Sequence, residues 1–278
     1  MATEQLQMTN PAFTKKQIFL ALSPAFLGYF VYSYFMSMMN NAAPKIAAGL
    51  NGMALYSWSV SIPCLGLAIG TILAGKFSDI YGRRAIMLGS ISILLVGAIL
   101  SAICPTFMTL IAARTLLCLG QGAVAPICYA VIADVFSGAE RSKWIGLLNI
   151  SYGVPALIGP TLSGWLVEGP GWRQIFWWAV PLVLLLMTAA YLMPALLHGA
   201  AHKIDVLGAV LVTIAASAMI FGFSFAGTTY PWGSVPVLGL LAVSLIFWTL
   251  FLQAEKRTSE PFFIFHHAFI INTFHYKA

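Results

Sequence analysis

The sequence predicts an all-α fold, a polytopic membrane protein whose chain crosses the bilayer eight times. Apolar residues make up 60% of the 278 residues and charged residues only 8%, whereas a soluble domain has roughly 45 to 50% apolar residues. The apolar residues form runs of about 20, the length that a helix needs to cross a hydrocarbon core about 30 Å thick. No alternation of apolar and polar residues dominates, as it would in a membrane β-barrel.

Charged or turn residues bound the apolar runs and set the order of the elements. The eight predicted spans lie at residues 18–40, 54–75, 85–103, 106–130, 144–167, 174–197, 205–225 and 235–253. The polar start lacks the short apolar core of a cleavable signal, so we expect it to remain. The chain then divides into a cytoplasmic tail at residues 1–17, a six-helix bundle at 18–197, a linker with helices seven and eight at 198–253, and a loop at 254–278 that includes the truncated start of a ninth helix.

Lys and Arg residues in the loops predict the orientation, because they are enriched on the cytoplasmic side of membrane proteins. With a cytoplasmic N-terminus, Lys45 and Arg173 face the outside. The basic residues expected inside are Lys15, Lys16, Lys76, Arg83, Arg84, Arg141, Lys143, Lys203, Lys256 and Arg257. The net charge of +6 is thus attributed to topology and to contact with anionic membrane lipid, and no nucleic-acid partner is expected. We expect an integral protein of the plasma membrane, the inner membrane in a bacterium.

The connection between the second and third spans, residues 75–84, reads GKFSDIYGRR and concentrates charge in a chain that has little of it. A simple positive anchor on the cytoplasmic side would explain the basic residues. It would not explain Asp79 or the spacing of the two glycines. Glycines allow two helix ends to approach closely, and a carboxylate at a helix boundary can pair with arginine or with a helix N-terminus.

This stretch resembles the G-x-x-x-D-x-x-G-R-R/K signature between the second and third helices of the major facilitator superfamily. The matching residues are Gly75, Asp79, Gly82, Arg83 and Arg84. The resemblance implies a conformational latch, a loop that docks on the other half of a transporter in one state and leaves it in the other. Asp134, after the fourth span, occupies the position of an acid that completes a relay with Asp79 and Arg83 in similar proteins. Alternatively, Asp134 only solvates a helix end.

Arg114 lies inside the fourth span, where an unpaired arginine costs at least about 2.5 to 3.5 kcal/mol at the bilayer centre. It resembles the arginine of the superfamily's fourth-helix signature R-x-x-Q-G, but Leu117 and Cys118 stand at the Gln and Gly positions. Two roles therefore remain open for this intramembrane charge. Arg114 either takes part in proton handling or bonds to backbone carbonyls of the first helix.

The fifth span contains GVPALIGPTLSGWL, which resembles the G-P-x-x-G-G element of exporters in this superfamily. Gly159, Pro160 and Gly164 match the element, whereas Pro155 and Ser163 replace two of its usual glycines. The resemblance implies a kinked helix that packs tightly and seals a cavity. The alternative is that these residues reflect only the general frequency of Gly and Pro in membrane helices.

The last third of the chain resembles the two extra central helices of the fourteen-helix drug:proton antiporters of the superfamily. The residues that carry this resemblance are Asp205, Gly208, Trp232, Gly233, Glu255 and Pro261. In the first span, Phe35 stands where drug:proton exchangers often have an acid, and no carboxylate lies deep in any of the eight spans. Any proton carrier is therefore expected outside this half.

Together these resemblances imply a transporter that exports lipophilic or cationic small molecules in exchange for protons by alternating access. The chain would be the front part of such a protein, and a C-terminal bundle in the same or another chain would complete it. Candidate residues of the substrate cavity are Tyr34, Met38, Trp58 and Asn149. The alternative is a truncated or half-size membrane protein that does not transport and acts as a structural or regulatory partner.

No enzyme activity, cofactor or metal is expected. His198 and His202 have the spacing of a zinc-binding pair, but the glutamate of that motif is absent. No G-x-x-x-x-G-K-[ST] phosphate-binding loop occurs, and the spans hold no cluster of His and carboxylate side chains.

Overall fold

The structure, a computed structural model, describes residues 14–194, 206–227 and 229–255. Its α-helices are α1 (Lys15–Gly49), α2 (Tyr56–Tyr81), α3 (Arg83–Ile103), α4 (Phe107–Val135), α5 (Gly138–Glu168), α6 (Arg173–Leu192), α7 (Val206–Phe225) and α8 (Val235–Glu255), with a 3₁₀ turn at Met53–Leu55. The all-α prediction is thus confirmed for these residues. Residues 1–13 of the predicted tail, the link between the sixth and seventh spans and the start of a ninth helix lie outside the described residues. The last three residues of the predicted tail, 15–17, belong to α1.

Seven segments within the described ranges are long and apolar enough to cross a membrane. They are Lys15–Gly49, Met53–Tyr81, Arg83–Ile103, Phe107–Val135, Gly138–Glu168, Arg173–Leu192 and Val235–Ala254. Helix α7 contributes a shorter apolar helix at Val210–Phe225. The expectation of eight full-length spans is therefore met for seven of them.

Several helices are longer than the apolar runs from which they were predicted. Helix α1 begins at a capping box in which Thr14 accepts from the backbone N–H of Gln17 and the Gln17 side chain accepts from the backbone of Thr14. It continues past Asn40, the predicted end of the span, as far as Gly49. Polar residues end the apolar run without ending the helix, because their side chains can be solvated while the backbone stays helical.

The chain forms two compact units, residues 1–200 and 201–278. In the first, α4 is central and packs along α1, α2 and α3, while α1 also packs along α5 and α6, and α3 along α6. The core consists of fully buried apolar side chains from these helices, such as Phe35, Met87, Ile127 and Phe176. In the second unit α7 packs along α8, and the Ser244 hydroxyl donates to the Ala215 carbonyl across the pair at 2.9 Å.

Glycines allow the closest helix contacts of the first unit. A Cβ added to Gly70 or Gly122 would overlap a backbone carbonyl of the facing helix, at Leu119 and Leu67 respectively. Gly97 and Gly120 make the equivalent contacts between α3 and α4. Such small residues let membrane helices gain dispersion contacts where lipid tails give no hydrophobic driving force between helices.

Candidate functional site

The α2–α3 and α4–α5 connections lie at the same end of the first unit, which we call the charged end. Here the Arg83 guanidinium contacts two carboxylates. Its Nε donates to Asp134 Oδ2 at 2.9 Å, and its Nη1 forms an ion pair with Asp79 Oδ1 and donates to Ser78 Oγ at 2.7 Å. We call Ser78, Asp79, Arg83 and Asp134 the charge cluster. It joins the last turns of α2 and α4 to the first residue of α3.

Gly82 makes the cluster possible because it breaks the helix between the two paired residues. Its φ of 92° and ψ of 143° lie in a region of backbone conformation that residues other than glycine rarely adopt. Asp79 and Arg83 therefore pair across a helix break. Ser78 was not predicted as a member. Its hydroxyl donates to the Gly75 carbonyl at 3.0 Å and accepts from Arg83.

The other two residues of the loop signature lie away from the ion pairs. The Arg84 guanidinium is 5.2 Å from the ring centroid of Tyr191, near the end of α6. A Cβ added to Gly75 would meet nothing within 4 Å. Gly75 therefore offers an open helix surface, and Arg84 fixes α3 to α6 instead of binding a carboxylate.

Arg114 bonds to a different helix from the one expected. Its Nη1 donates to the Ser59 carbonyl of α2 at 3.2 Å, so the prediction of a bond to the first helix is wrong. Arg114 lies near the end of α4 opposite the charged end, beside the first turns of α2. One α4 side chain that does bond to the backbone of α1 is Gln121, whose Nε2 donates to the Tyr32 carbonyl at 2.9 Å.

The exporter-like residues of α5 divide between a packed and an open face. Gly159 lies against Ser37 of α1, where a Cβ would overlap the hydroxyl, and Ser163 donates to the Met38 carbonyl at 2.8 Å. Gly164, in contrast, has open space at its Cβ position, and Pro160 is exposed. The serine that departs from the exporter element thus bonds α5 to α1.

Four tyrosines from α1, α4 and α5 form a partly exposed group that the sequence did not indicate. We call Tyr29, Tyr32, Tyr129 and Tyr152 the tyrosine cluster. The ring centroid of Tyr29 lies 5.8 Å from that of Tyr32, 5.4 Å from that of Tyr129 and 5.4 Å from that of Tyr152. The spacing of Tyr29 and Tyr32 could have suggested a shared helix face, but their partners come from distant parts of the chain.

Two hydrogen bonds connect the tyrosine cluster to Asn149 in a fixed order of donors and acceptors. Tyr129 donates to Asn149 Oδ1 at 3.1 Å, so the Tyr29 hydroxyl must donate to Tyr129 in their 2.8 Å contact. The hydroxyls of Tyr32 and Tyr152 have no hydrogen-bond partner among the described residues. The cluster therefore presents aromatic rings together with unused hydroxyl groups.

The four predicted cavity residues separate into two pairs. Tyr34 is 5% exposed and donates to the Ile175 carbonyl at 2.8 Å, and Met38 is 1% exposed. Both lie in the core between α1 and its neighbours, so the prediction that they line a cavity is corrected. Trp58 and Asn149 are exposed. Asn149 adjoins the tyrosine cluster through Tyr129.

Metal binding has no support in this arrangement. Among the residues that the structure describes, no group of three or more His, Cys, Asp or Glu side chains could hold a metal ion.

Comparison with known proteins gives consistent matches along the chain. The family model described as Major Facilitator Superfamily matches residues 25–276. An uncharacterized MFS-type transporter of Mycobacterium tuberculosis is 35% identical over 219 residues, which is 78% of this chain and 32% of the relative. Multidrug resistance protein 3 of Bacillus subtilis is 29% identical over 237 residues, 83% of this chain and 46% of the relative. The chain thus spans about a third to about half of the length of these relatives.

A solved structure shares the fold. The crystal structure of the human organic anion transporter MFSD10 superimposes with a TM-score of 0.58 at 17% sequence identity, covering 80% of this chain and 59% of that one.

Proposed function

Because the chain belongs to the major facilitator superfamily, we propose that it forms the first six-helix bundle and the two following helices of a multidrug exporter. The complete protein would expel lipophilic or cationic small molecules in exchange for protons. The observation that carries this proposal is the charge cluster, in which one arginine contacts carboxylates from two helices. The name of the Bacillus subtilis relative, a multidrug resistance protein, supports the substrate class.

The exposure of Asp79 supports a role as a latch. Its side chain remains 49% exposed although it pairs with Arg83, which is only 16% exposed. A carboxylate in this position can exchange its arginine for donors on a second bundle, such as the N–H groups at a helix N-terminus. The open surface at Gly75 permits close approach of that bundle. We place the charge cluster at the contact that forms and breaks as two bundles rock about a midplane site.

The tyrosine cluster supports binding of aromatic or cationic compounds by this half. Ring faces attract organic cations with about 0.5 to 2 kcal/mol per contact, depending on desolvation. The hydroxyls of Tyr32 and Tyr152 can add hydrogen bonds to polar substituents. We therefore propose Tyr32, Tyr152, Asn149 and Trp58 as substrate contacts and omit the buried Tyr34 and Met38.

Proton coupling requires a titratable group along the transport path, and we propose that the second bundle supplies it. Each carboxylate in the described part of the first unit lies in the first or last turn of its helix: Asp79, Asp134, Glu140 and Glu168. None of these positions is at the membrane midplane, where substrate and coupling-ion sites of such transporters lie. The proposed location is the plasma membrane, with the charged end in the cytoplasm.

The test is efflux of a fluorescent lipophilic cation from cells that express either the complete gene product or this chain alone. We expect the complete product to lower the dye content of the cells and a protonophore to abolish the effect. Absence of efflux from the complete product would contradict the proposal, whereas efflux that persists with protonophore would contradict only the coupling. If the gene encodes nothing beyond Ala278 and the chain gives no efflux, a non-transporting partner is the better interpretation.

A further inference from the structure

An apolar groove lies between α2 and α3, with α4 as its floor. Its volume is about 240 Å³. The residues that line it are Gly70, Leu73, Ala74 and Phe77 of α2, Ala85, Ile86, Gly89, Ser90 and Ile93 of α3, and Leu119, Gly120 and Ala123 of α4. The groove exists because α2 and α3 each pack closely along α4 but contact each other much less.

The lining excludes a polar ligand. It contains no charged residue, and its one hydroxyl, Ser90 Oγ, already donates to the Ile86 carbonyl at 2.7 Å. Glycine and alanine make up half of the lining, so few bulky side chains enter the groove. A slender hydrocarbon chain fits these properties, and a compact polar solute does not.

The groove opens onto a face of α3 that is exposed and apolar along its whole length. Ile93, Val96, Leu100 and Ile103 are 38 to 58% exposed and follow one another at helical spacing, and Ala85 and Gly89 continue the same face toward the charged end. In a helix long and apolar enough to span a bilayer, such a face meets lipid tails. The groove is therefore continuous with the surface that already contacts hydrocarbon.

We propose that this groove binds one acyl chain of a membrane phospholipid, in the leaflet that surrounds the charged end. An unfilled groove would leave its lining atoms without dispersion partners on one side, and an acyl chain supplies them. Phe77 and Ala85 place the end of the groove within two residues of Asp79 and Arg83. The bound chain would thus support the α2–α3 arrangement on which the charge cluster depends. This assignment requires only membrane insertion and is independent of the transported substrate.

The test uses the full chain reconstituted in phosphatidylcholine vesicles with a trace of the same lipid carrying a diazirine on one acyl chain. The protein is transferred to detergent, which removes loosely bound lipid, and is then illuminated. We expect mass spectrometry to find cross-links on Phe77, Gly89 and Ile93 and few on Leu184 and Leu185, exposed apolar residues of α6. Equal labelling of both sets, or none in the groove, would overturn the proposal.

A matched pair of variants tests the same site independently. Gly89→Leu places a larger apolar side chain in the groove, and its Cβ has room because a Cβ at Gly89 meets nothing within 4 Å. We expect a loss of lipid cross-links of at least about threefold, because many weak carbon contacts are removed together. The control is Gly146→Leu on α5, where a Cβ also meets open space, and it should retain the label.

Two results would overturn the acyl-chain assignment at this stage. The first is unchanged labelling in Gly89→Leu. The second is removal of the label by an excess of an uncharged apolar dye but not by an excess of unlabelled phosphatidylcholine, which would identify a small-molecule site. If Gly89→Leu does not insert into the membrane, the cross-link map of the unsubstituted chain still decides the question.

Discussion

Arg83 concentrates the polar interactions of the charged end in one side chain. Its donors reach Ser78, Asp79 and Asp134, and only 16% of the side chain is exposed. A hydrogen bond to a charged group contributes about 1.5 to 3 kcal/mol, and removing one partner of a shielded ion pair leaves the other charge uncompensated. The two carboxylates are not equivalent, because Asp79 is more exposed than Asp134. We therefore propose Asp79, and not Asp134, as the carboxylate that changes partners.

Asp79→Asn tests this difference. We expect transport by the complete protein to fall about tenfold or more, since a neutral amide makes weaker bonds to cationic donors and about 1.4 kcal/mol corresponds to a factor of ten. Membrane insertion should remain, because Asp134 still pairs with Arg83. Dye efflux and the amount of protein in the membrane fraction measure the two effects. Glu140→Gln, at an exposed carboxylate in the first turn of α5, is the control. Unchanged transport in Asp79→Asn would contradict the latch.

The tyrosine cluster permits ring contacts and hydroxyl contacts to be separated. If the rings of Tyr32 and Tyr152 bind an organic cation, substitution by Phe should change its KM by less than about threefold. Substitution by Leu should raise the KM by a factor of roughly 2 to 30, the equivalent of a lost cation–π contact of about 0.5 to 2 kcal/mol. Transport kinetics of the complete protein with a quaternary ammonium dye provide the measurement. Equal effects of Phe and Leu would argue for hydroxyl bonding instead.

At the scale of the helices, glycine contacts determine how closely α2 and α3 approach α4. The added Cβ of any other residue at Gly122 would overlap the Leu67 carbonyl oxygen. The contact is between two backbones, so no flexible side chain can move aside. The same close approach on both sides of α4 leaves the groove between α2 and α3, because two helices that each contact a third one need not contact each other.

Gly122→Ala should therefore destabilise the first unit by about 1 to 3 kcal/mol, the usual cost of an overpacked position. Gly146→Ala on α5, where the Cβ position is open, should be neutral or stabilising because alanine is the better helix former by about 1 kcal/mol. Thermal unfolding of the detergent-solubilised chain, followed by circular dichroism, compares the two variants. A similar Tm for both would show that the helix contact yields more easily than its geometry indicates.

At the scale of the whole molecule, the distribution of charge argues for one orientation in the membrane. The charge cluster, Arg84, Arg141 and Lys143 lie at or near the α2–α3 and α4–α5 connections, whereas Lys45 pairs with Glu168 at the opposite end of the bundle. Basic residues of short loops favour the cytoplasmic side. The charged end is therefore expected inside the cell.

Cysteine labelling from intact cells tests this orientation. In a chain with the exposed Cys64 replaced by serine, Asn51→Cys lies at the end opposite the charged end, and Arg141→Cys lies at the charged end. We expect a membrane-impermeant maleimide to label Asn51→Cys in intact cells and to label Arg141→Cys only after the cells are opened. The reverse pattern would show that the bundle is inserted in the opposite direction.

The number and approximate positions of the helices in the described residues follow from the apolar runs alone, because a bilayer requires apolar runs of about 20 residues whose backbone bonds are satisfied internally. The sequence also indicated Asp79, Arg83 and Asp134 through their resemblance to a known loop signature. The structure shows these three side chains in contact. The rotation of each helix about its own axis became clear only from the contacts between helices. Tyr34 and Met38 lie in the core, Arg114 bonds to α2, and the tyrosine cluster assembles from three helices. The physical reason is that lipid tails are as apolar as the interior of the bundle. The pattern of apolar residues therefore does not distinguish the buried face of a membrane helix from its outer face, and contacts between distant helices are needed to do so.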